Sequence, residues 1–125
     1  MIKVPISNGE LLDKITILQI KREKIKDEEK QKHIHRELEE LSILMKTLPM
    51  NEIDNLFTEL KKINNQLWDV EDALRDKERN KEFDNEFIQL ARKVYFTNDK
   101  RSQVKLKINQ ISKSELVEVK SYEKY

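Results

Sequence analysis

Residues 51–82 read Asn-Glu-Ile-Asp-Asn-Leu-Phe-Thr-Glu-Leu-Lys-Lys-Ile-Asn-Asn-Gln-Leu-Trp-Asp-Val-Glu-Asp-Ala-Leu-Arg-Asp-Lys-Glu-Arg-Asn-Lys-Glu. Ile53, Leu56, Phe57, Leu60, Ile63, Leu67, Val70 and Leu74 recur at the three- and four-residue spacing that lines one face of an α-helix. The spacing predicts one long helix with Asn51 as its N-cap. After Leu74 the chain becomes almost wholly charged, so this helix either leaves the core for solvent or presents its charges to something. The only tryptophan, Trp68, stands at the changeover.

The same periodicity continues on both sides. Ile34, Leu38, Leu41, Met45 and Leu48 form a heptad-like seam on a preceding helix, which Pro49 ends. Ser7-Asn8-Gly9-Glu10 reads as a capping box, with Ser7 accepting from the Glu10 amide and Glu10 reaching back to the amide of Ser7. The helix it opens carries Leu11, Leu12, Ile15, Ile17, Leu18, Ile20 and Ile25. Its first half is apolar on nearly every side and is expected to be the most buried element, while its second half, from Lys21, is solvated except for a stripe. A charged turn near Asp27 to Lys30 separates it from the seam helix. Further on, Asp84 can cap a helix with Phe87, Ile88, Leu90, Ala91, Val94 and Tyr95. Thr97, Asn98 and Asp99 compete for backbone hydrogen bonds and are expected to divide it from a fifth helix with Val104, Ile108 and Ile111.

Ile2, Val4 and Ile6 alternate with Lys3 and Pro5, and Leu116 to Tyr122 alternates too, so the termini are expected to pair as short strands. A docked, irregular tail is the alternative. The expected fold is one all-α domain over residues 1–125, an antiparallel helical bundle of four to five helices with a small strand pair formed by the two termini.

Composition agrees with that architecture. Charged residues make up 39% and apolar ones 37%, which suits thin helix layers that each bury a narrow stripe. The net charge of +1 supplies no global attraction to nucleic acid or anionic lipid. With no cysteine, a disulfide frame, thiolate catalysis and Cys-based zinc sites are excluded. No N-terminal run resembles a signal peptide, and none approaches the ~18 apolar residues of a membrane span. A cytoplasmic location without a membrane partner is the expectation.

Three groupings could carry chemistry. Trp68 neighbours Asn64, Asn65, Glu71 and Asp72 on a helix, and Arg75 follows Glu71 by four. Trp68, Asp69, Asp72 and Arg75, with Arg101 from the basic segment, are therefore the candidate ligand- or partner-binding residues. The competing reading is a solvated face laced by ion pairs worth about 0.3 to 0.5 kcal/mol each. Second, Glu37 and Glu40 and then Asp69 and Asp72 make two acidic pairs, each three apart, on successive helices. Facing each other, they could hold Mg²⁺. That pattern resembles the all-helical nucleoside triphosphate pyrophosphohydrolases, although Asp69 stands where their second pair begins with Glu and the following residues are charged rather than apolar. Third, Arg92, Lys93, Lys100, Arg101, Lys105, Lys107 and Lys113 accumulate over 92–113 around Tyr95 and Phe96, against Asp99 alone. They could bind phosphate or nucleic acid, or lie along the acidic Trp68–Glu78 surface of the same molecule or a partner. His33 and His35, two apart, point to different helix faces and cannot readily share a metal.

No catalytic residue, metal ligand or cofactor is assigned from these patterns. The expected function is that of a non-enzymatic helical interaction or adaptor protein. Metal-dependent nucleotide hydrolysis and phosphate or nucleic-acid binding are the alternatives. The apolar block Leu11–Ile20 needs covering on more than one side, so a second copy of the chain, a homodimer, is the expected partner beside an unidentified protein.

Val4-Pro5-Ile6-Ser7, Gly9-Glu10-Leu11-Leu12-Asp13-Lys14-Ile15-Thr16-Ile17-Leu18, Leu67-Trp68-Asp69-Val70-Glu71-Asp72, Arg75-Asp76-Lys77-Glu78, Tyr95-Phe96-Thr97-Asn98-Asp99 and Val117-Glu118-Val119-Lys120-Ser121-Tyr122 are distinctive segments spread over nearly the whole chain. Together they resemble a family of small uncharacterised bacterial and phage proteins. The resemblance implies an autonomous domain in a cytoplasmic setting and brings no reaction, cofactor or site residue with it.

Overall fold

The computed structural model describes residues 1–125 and contains four helices and no strand. Helix α1 spans Asn8–Lys24, α2 Glu28–Met45, α3 Met50–Arg79 and α4 Asn85–Ile111. Three of the starts are set by side-chain oxygens that take up amides lacking a helical partner. Ser7 Oγ accepts from the Glu10 amide at 3.1 Å, Asp27 Oδ2 from Lys30 at 2.9 Å and Asp84 Oδ1 from Phe87 at 2.9 Å. Replacing Ser7 with alanine is expected to lower stability by about 1 kcal/mol, and an unchanged denaturation midpoint would count against the cap. The reciprocal half of the capping box does not form. Glu10 turns instead to Lys105 Nζ at 2.7 Å, a charge-assisted bond stronger than one to a neutral amide.

Two helix boundaries differ from expectation. Helix α3 starts before Asn51, which lies exposed inside it, and Pro49 takes the cap position without a side-chain bond. Helix α2 stops at Met45, and the amides of Thr47 and Leu48 turn back to Leu44 and Met45 at 3.0 and 3.1 Å. A residue preceding proline is disfavoured in the helical region, which ends α2 short of Pro49.

The expected fifth helix is absent, because α4 runs unbroken through Thr97–Asp99. Asn98 Oδ1 accepts from Arg101 at 3.3 Å and Asp99 accepts from the Tyr125 hydroxyl, so both side chains are engaged away from their own backbone. The terminal strand pair is absent as well. Met1, Ile2 and Val4 are exposed, and the chain after Ser114 is irregular. A lone two-stranded pair has too little to pack on to be stable. Ion pairing holds the tail in its place, with Glu118 3.0 Å from Lys105 Nζ.

All four helices contribute to one core of Leu11, Leu12, Ile15 and Leu18 from α1, Ile34 and Leu38 from α2, Ile53, Leu60 and Ile63 from α3, and Val104 and Ile108 from α4. The apolar block of α1 is thus enclosed within a single copy, which removes the reason it offered for a second one. Helix α1 runs antiparallel to α4: Gly9 meets Asn109, Glu10 meets Lys105 and Asp13 meets Arg101. No helix is long and apolar enough to cross a membrane.

Beyond that base, α3 and α4 continue as a two-helix arm in which no residue from 65 to 103 is buried. The tip is clamped by Lys77, whose Nζ lies 3.2, 3.0 and 3.1 Å from Glu82, Asp84 and Glu86. The charged end of α3 therefore leaves the core for solvent.

Candidate functional site

Two features stand out: a buried polar cluster at the base and an open groove on the arm. The cluster grows from Asp13, fully buried on a helix otherwise lined with leucine and isoleucine. Its carboxylate accepts from Arg101 Nε at 2.8 Å and Asn64 Nδ2 at 2.9 Å, and pairs with a second guanidinium nitrogen of Arg101. Asn64 also donates to Thr16 Oγ1 at 2.8 Å, and the Thr16 hydroxyl donates to the Asp13 carbonyl at 2.7 Å. Lys105, itself buried, reaches Glu10 at 2.7 Å and Glu118 at 3.0 Å, and stands 3.9 Å from Asp13. Asn109 Oδ1 accepts from the Gly9 amide at 2.7 Å. No buried side-chain nitrogen or oxygen is left without a partner.

The electrostatics of this cluster are those of a lock. The Asp13 carboxylate bonded to Arg101 raises the guanidinium above its ordinary pKa. Burial works against the charge on Lys105, but the bonds to Glu10 and Glu118 outweigh it and the net shift is upward. Lys120, and then Lys105, hold Glu118 below the ordinary carboxylate value. Each of these three groups is held in its charged form, so none of them is poised to exchange a proton near neutral pH. A fully satisfied network of this kind specifies one register of α1 against α3 and α4, since a slip of one turn would strand a charge.

The sequence candidates are dispersed by the fold. Arg101 belongs to the buried cluster rather than to the Trp68 face. Trp68 is half-buried, and Asp69 is exposed and 3.4 Å from Lys24. Asp72 is exposed and makes no ion pair, while Arg75 is exposed and only 3.9 Å from Glu71. Glu37, Glu40, Asp69 and Asp72 are all exposed and do not converge: no group of three or more His, Asp or Glu side chains is placed to hold a metal ion. The basic segment is divided, with Arg101 and Lys105 committed to α1 and the tail while Lys93, Lys100, Lys107 and Lys113 remain exposed. Its partners are not on the acidic end of α3. What sequence reading passed over is Asp13. A carboxylate inside an apolar stripe must find a cation, and that demand was the available signal.

The groove is lined by Glu71, Leu74, Arg75 and Glu78 of α3 and by Phe87, Ala91 and Val94 of α4. These positions continue, at three- and four-residue spacing, the faces on which Asn64 and Arg101 meet α1. The groove is thus the unoccupied extension of the seat of α1. A second cleft of about 520 Å³ separates the tail from α4 beside Lys105 and Glu118, both already paired with opposite charges.

Residues 2–125 match the model of DUF6165, a family of unknown function, and the chain belongs to that family. No curated protein and no solved structure matches it.

Proposed function

We propose that this DUF6165 member is a non-enzymatic helical interaction protein whose α3–α4 arm receives the apolar face of a partner helix. The observation that carries this reading is the arm's want of a core. Trp68, Leu74, Phe87, Leu90, Ala91, Val94 and Phe96 all lie between residues 65 and 103, where nothing is buried. Two helices side by side bury only their common seam, and helices in proteins owe most of their stability to packing an amphipathic face. The base shows what a third helix achieves. There α1 lies on the same side of the hairpin, and Leu60 and Ile108 are 0% exposed. Helix-in-groove recognition has this geometry, with apolar anchors at three- and four-residue spacing and charges along the rim to set orientation.

Metal-dependent hydrolysis would need clustered carboxylates, and a nucleic-acid surface would need a continuous positive face. The dispersed acidic pairs and the neutralised Arg101 and Lys105 support neither. Panning a display library of amphipathic helices against the protein tests the interaction reading. Selected helices are expected to lose at least about tenfold in affinity, ~1.4 kcal/mol, for the Ala91→Arg protein, whose helix content and unfolding midpoint stay unchanged. A selection that returns no helix, or helices indifferent to Ala91→Arg, would overturn it.

A further inference from the structure

We infer that the arm groove takes the arm of a second copy of this chain, laid antiparallel across a two-fold axis perpendicular to the arm. The inference rests on the arm being a docking element and names its occupant. Sterics select the geometry. Helix α1 fills the same side of the hairpin from the Gly9–Asn109 contact to the Asp13–Arg101 pair, so two copies cannot stack base on base. Only the arms are free to meet on that side, each with its tip directed at the other's α1.

Charge selects the occupant. Along the α3 rim of the groove, Glu71, Arg75 and Glu78 alternate in sign. Laid antiparallel on itself, this pattern is self-complementary: with the two-fold axis midway between Glu71 and Arg75, Arg75 of each copy faces Glu71 of the other. Arg75 is available for such a pairing: its side chain is 68% exposed and its one ion pair, with Glu71, is 3.9 Å long. Between the rims, Leu74, Phe87 and Val94 supply apolar surface, and the small Ala91 lets the helices approach closely. A two-fold contact of this kind uses the same patch twice.

The free arm sets the strength. Residues 69–79 rise by about 16 Å along α3, and a patch of that length and two helices' width falls below the ~1,200 Å² of total buried area that marks stable complexes. The dimer is accordingly a weak one that dissociates on dilution.

Sedimentation equilibrium from about 10 μM to about 1 mM reads it directly. The weight-average mass is expected to rise from 15.1 kDa towards twice that value with loading. Ala91→Arg and Arg75→Glu should each weaken association at least about tenfold. Glu71→Arg combined with Arg75→Glu should restore it, since the exchanged charges are again complementary across the two-fold axis. Circular dichroism verifies that each variant is folded. A mass of 15.1 kDa at every loading would reject the second copy. So would a dimer insensitive to Ala91→Arg, and a failure of the double exchange to restore association would reject the antiparallel register. Helix panning reads the docking element independently: groove-dependent helices from a strictly monomeric protein would reject the second copy alone.

Discussion

Replacing Asp13 with alanine is expected to lower the stability of the folded chain by about 3 to 5 kcal/mol, the cost of breaking a buried ion pair from one side. The substitution leaves the Arg101 guanidinium against the buried end of α1 with only Asn98 within bonding distance. It also removes the acceptor that Asn64 uses at 2.9 Å. Against a total of roughly 5 to 15 kcal/mol for a domain, such a loss is a large fraction. It should lower the unfolding temperature by roughly 10 to 20 °C. The mechanism is separable from simple loss of volume. Asp13→Leu combined with Arg101→Leu removes both charges, and apolar replacement of a whole buried pair is often close to neutral. The double variant should therefore be more stable than either single one, with a coupling energy measurable in a double-mutant cycle. A single-site loss under about 1 kcal/mol would show that the pair is solvated rather than buried.

The second large effect is expected at the only glycine. In most helices, glycine to alanine is stabilising by roughly 0.5 to 1 kcal/mol, because alanine restricts the unfolded chain. At Gly9 the sign should reverse. A Cβ built there would stand 2.6 Å from the Lys105 carbonyl oxygen and 3.0 Å from Asn109 Oδ1. The nearer obstacle is the backbone of α4, which cannot rotate away as a side chain could. Relief requires the start of α1 to lift from α4, stretching the 2.7 Å bond from the Gly9 amide to Asn109 and the Glu10–Lys105 contact behind it. Overpacking of this kind costs about 1 to 3 kcal/mol before the helix gain is subtracted. Chemical denaturation of Gly9→Ala decides the matter, and a variant more stable than the parent would disprove the close approach of α1 and α4.

The two sites explain why part of the molecule could be read in advance and part could not. Local signals write themselves into adjacent residues. Ser7 three before Glu10 and Asp84 three before Phe87 announce helix starts, and the recurrence from Ile53 to Leu74 announces the longest helix. Asp13, by contrast, draws its partners from positions 64 and 101, and Gly9 is required by the backbone of Lys105 and the side chain of Asn109, at the far end of the chain. The apolar stripe around Asp13 signals that it needs a cation, but nothing within a turn of either residue says which distant groups meet it. The Thr97–Asp99 segment erred in the other direction. Its residues weaken a helix locally, yet they sit inside α4 because Arg101 and Tyr125 occupy the side chains of Asn98 and Asp99.

The sequence alone determined that the chain is helical, where two of its helices begin, and that α1 is the most enclosed of them, since each of these follows from spacing and capping over a few turns. Tertiary structure alone decided that α4 is continuous, that Glu10 abandons its capping box for Lys105, that Arg101 serves Asp13 rather than the Trp68 face, and that the hairpin outruns α1 to leave a groove. The physical reason is the same throughout. Propensity and capping act over a few residues at about 1 kcal/mol or less. A buried charge or a Cβ against a backbone acts across the fold at several times that cost, and these stronger interactions set how the helices meet.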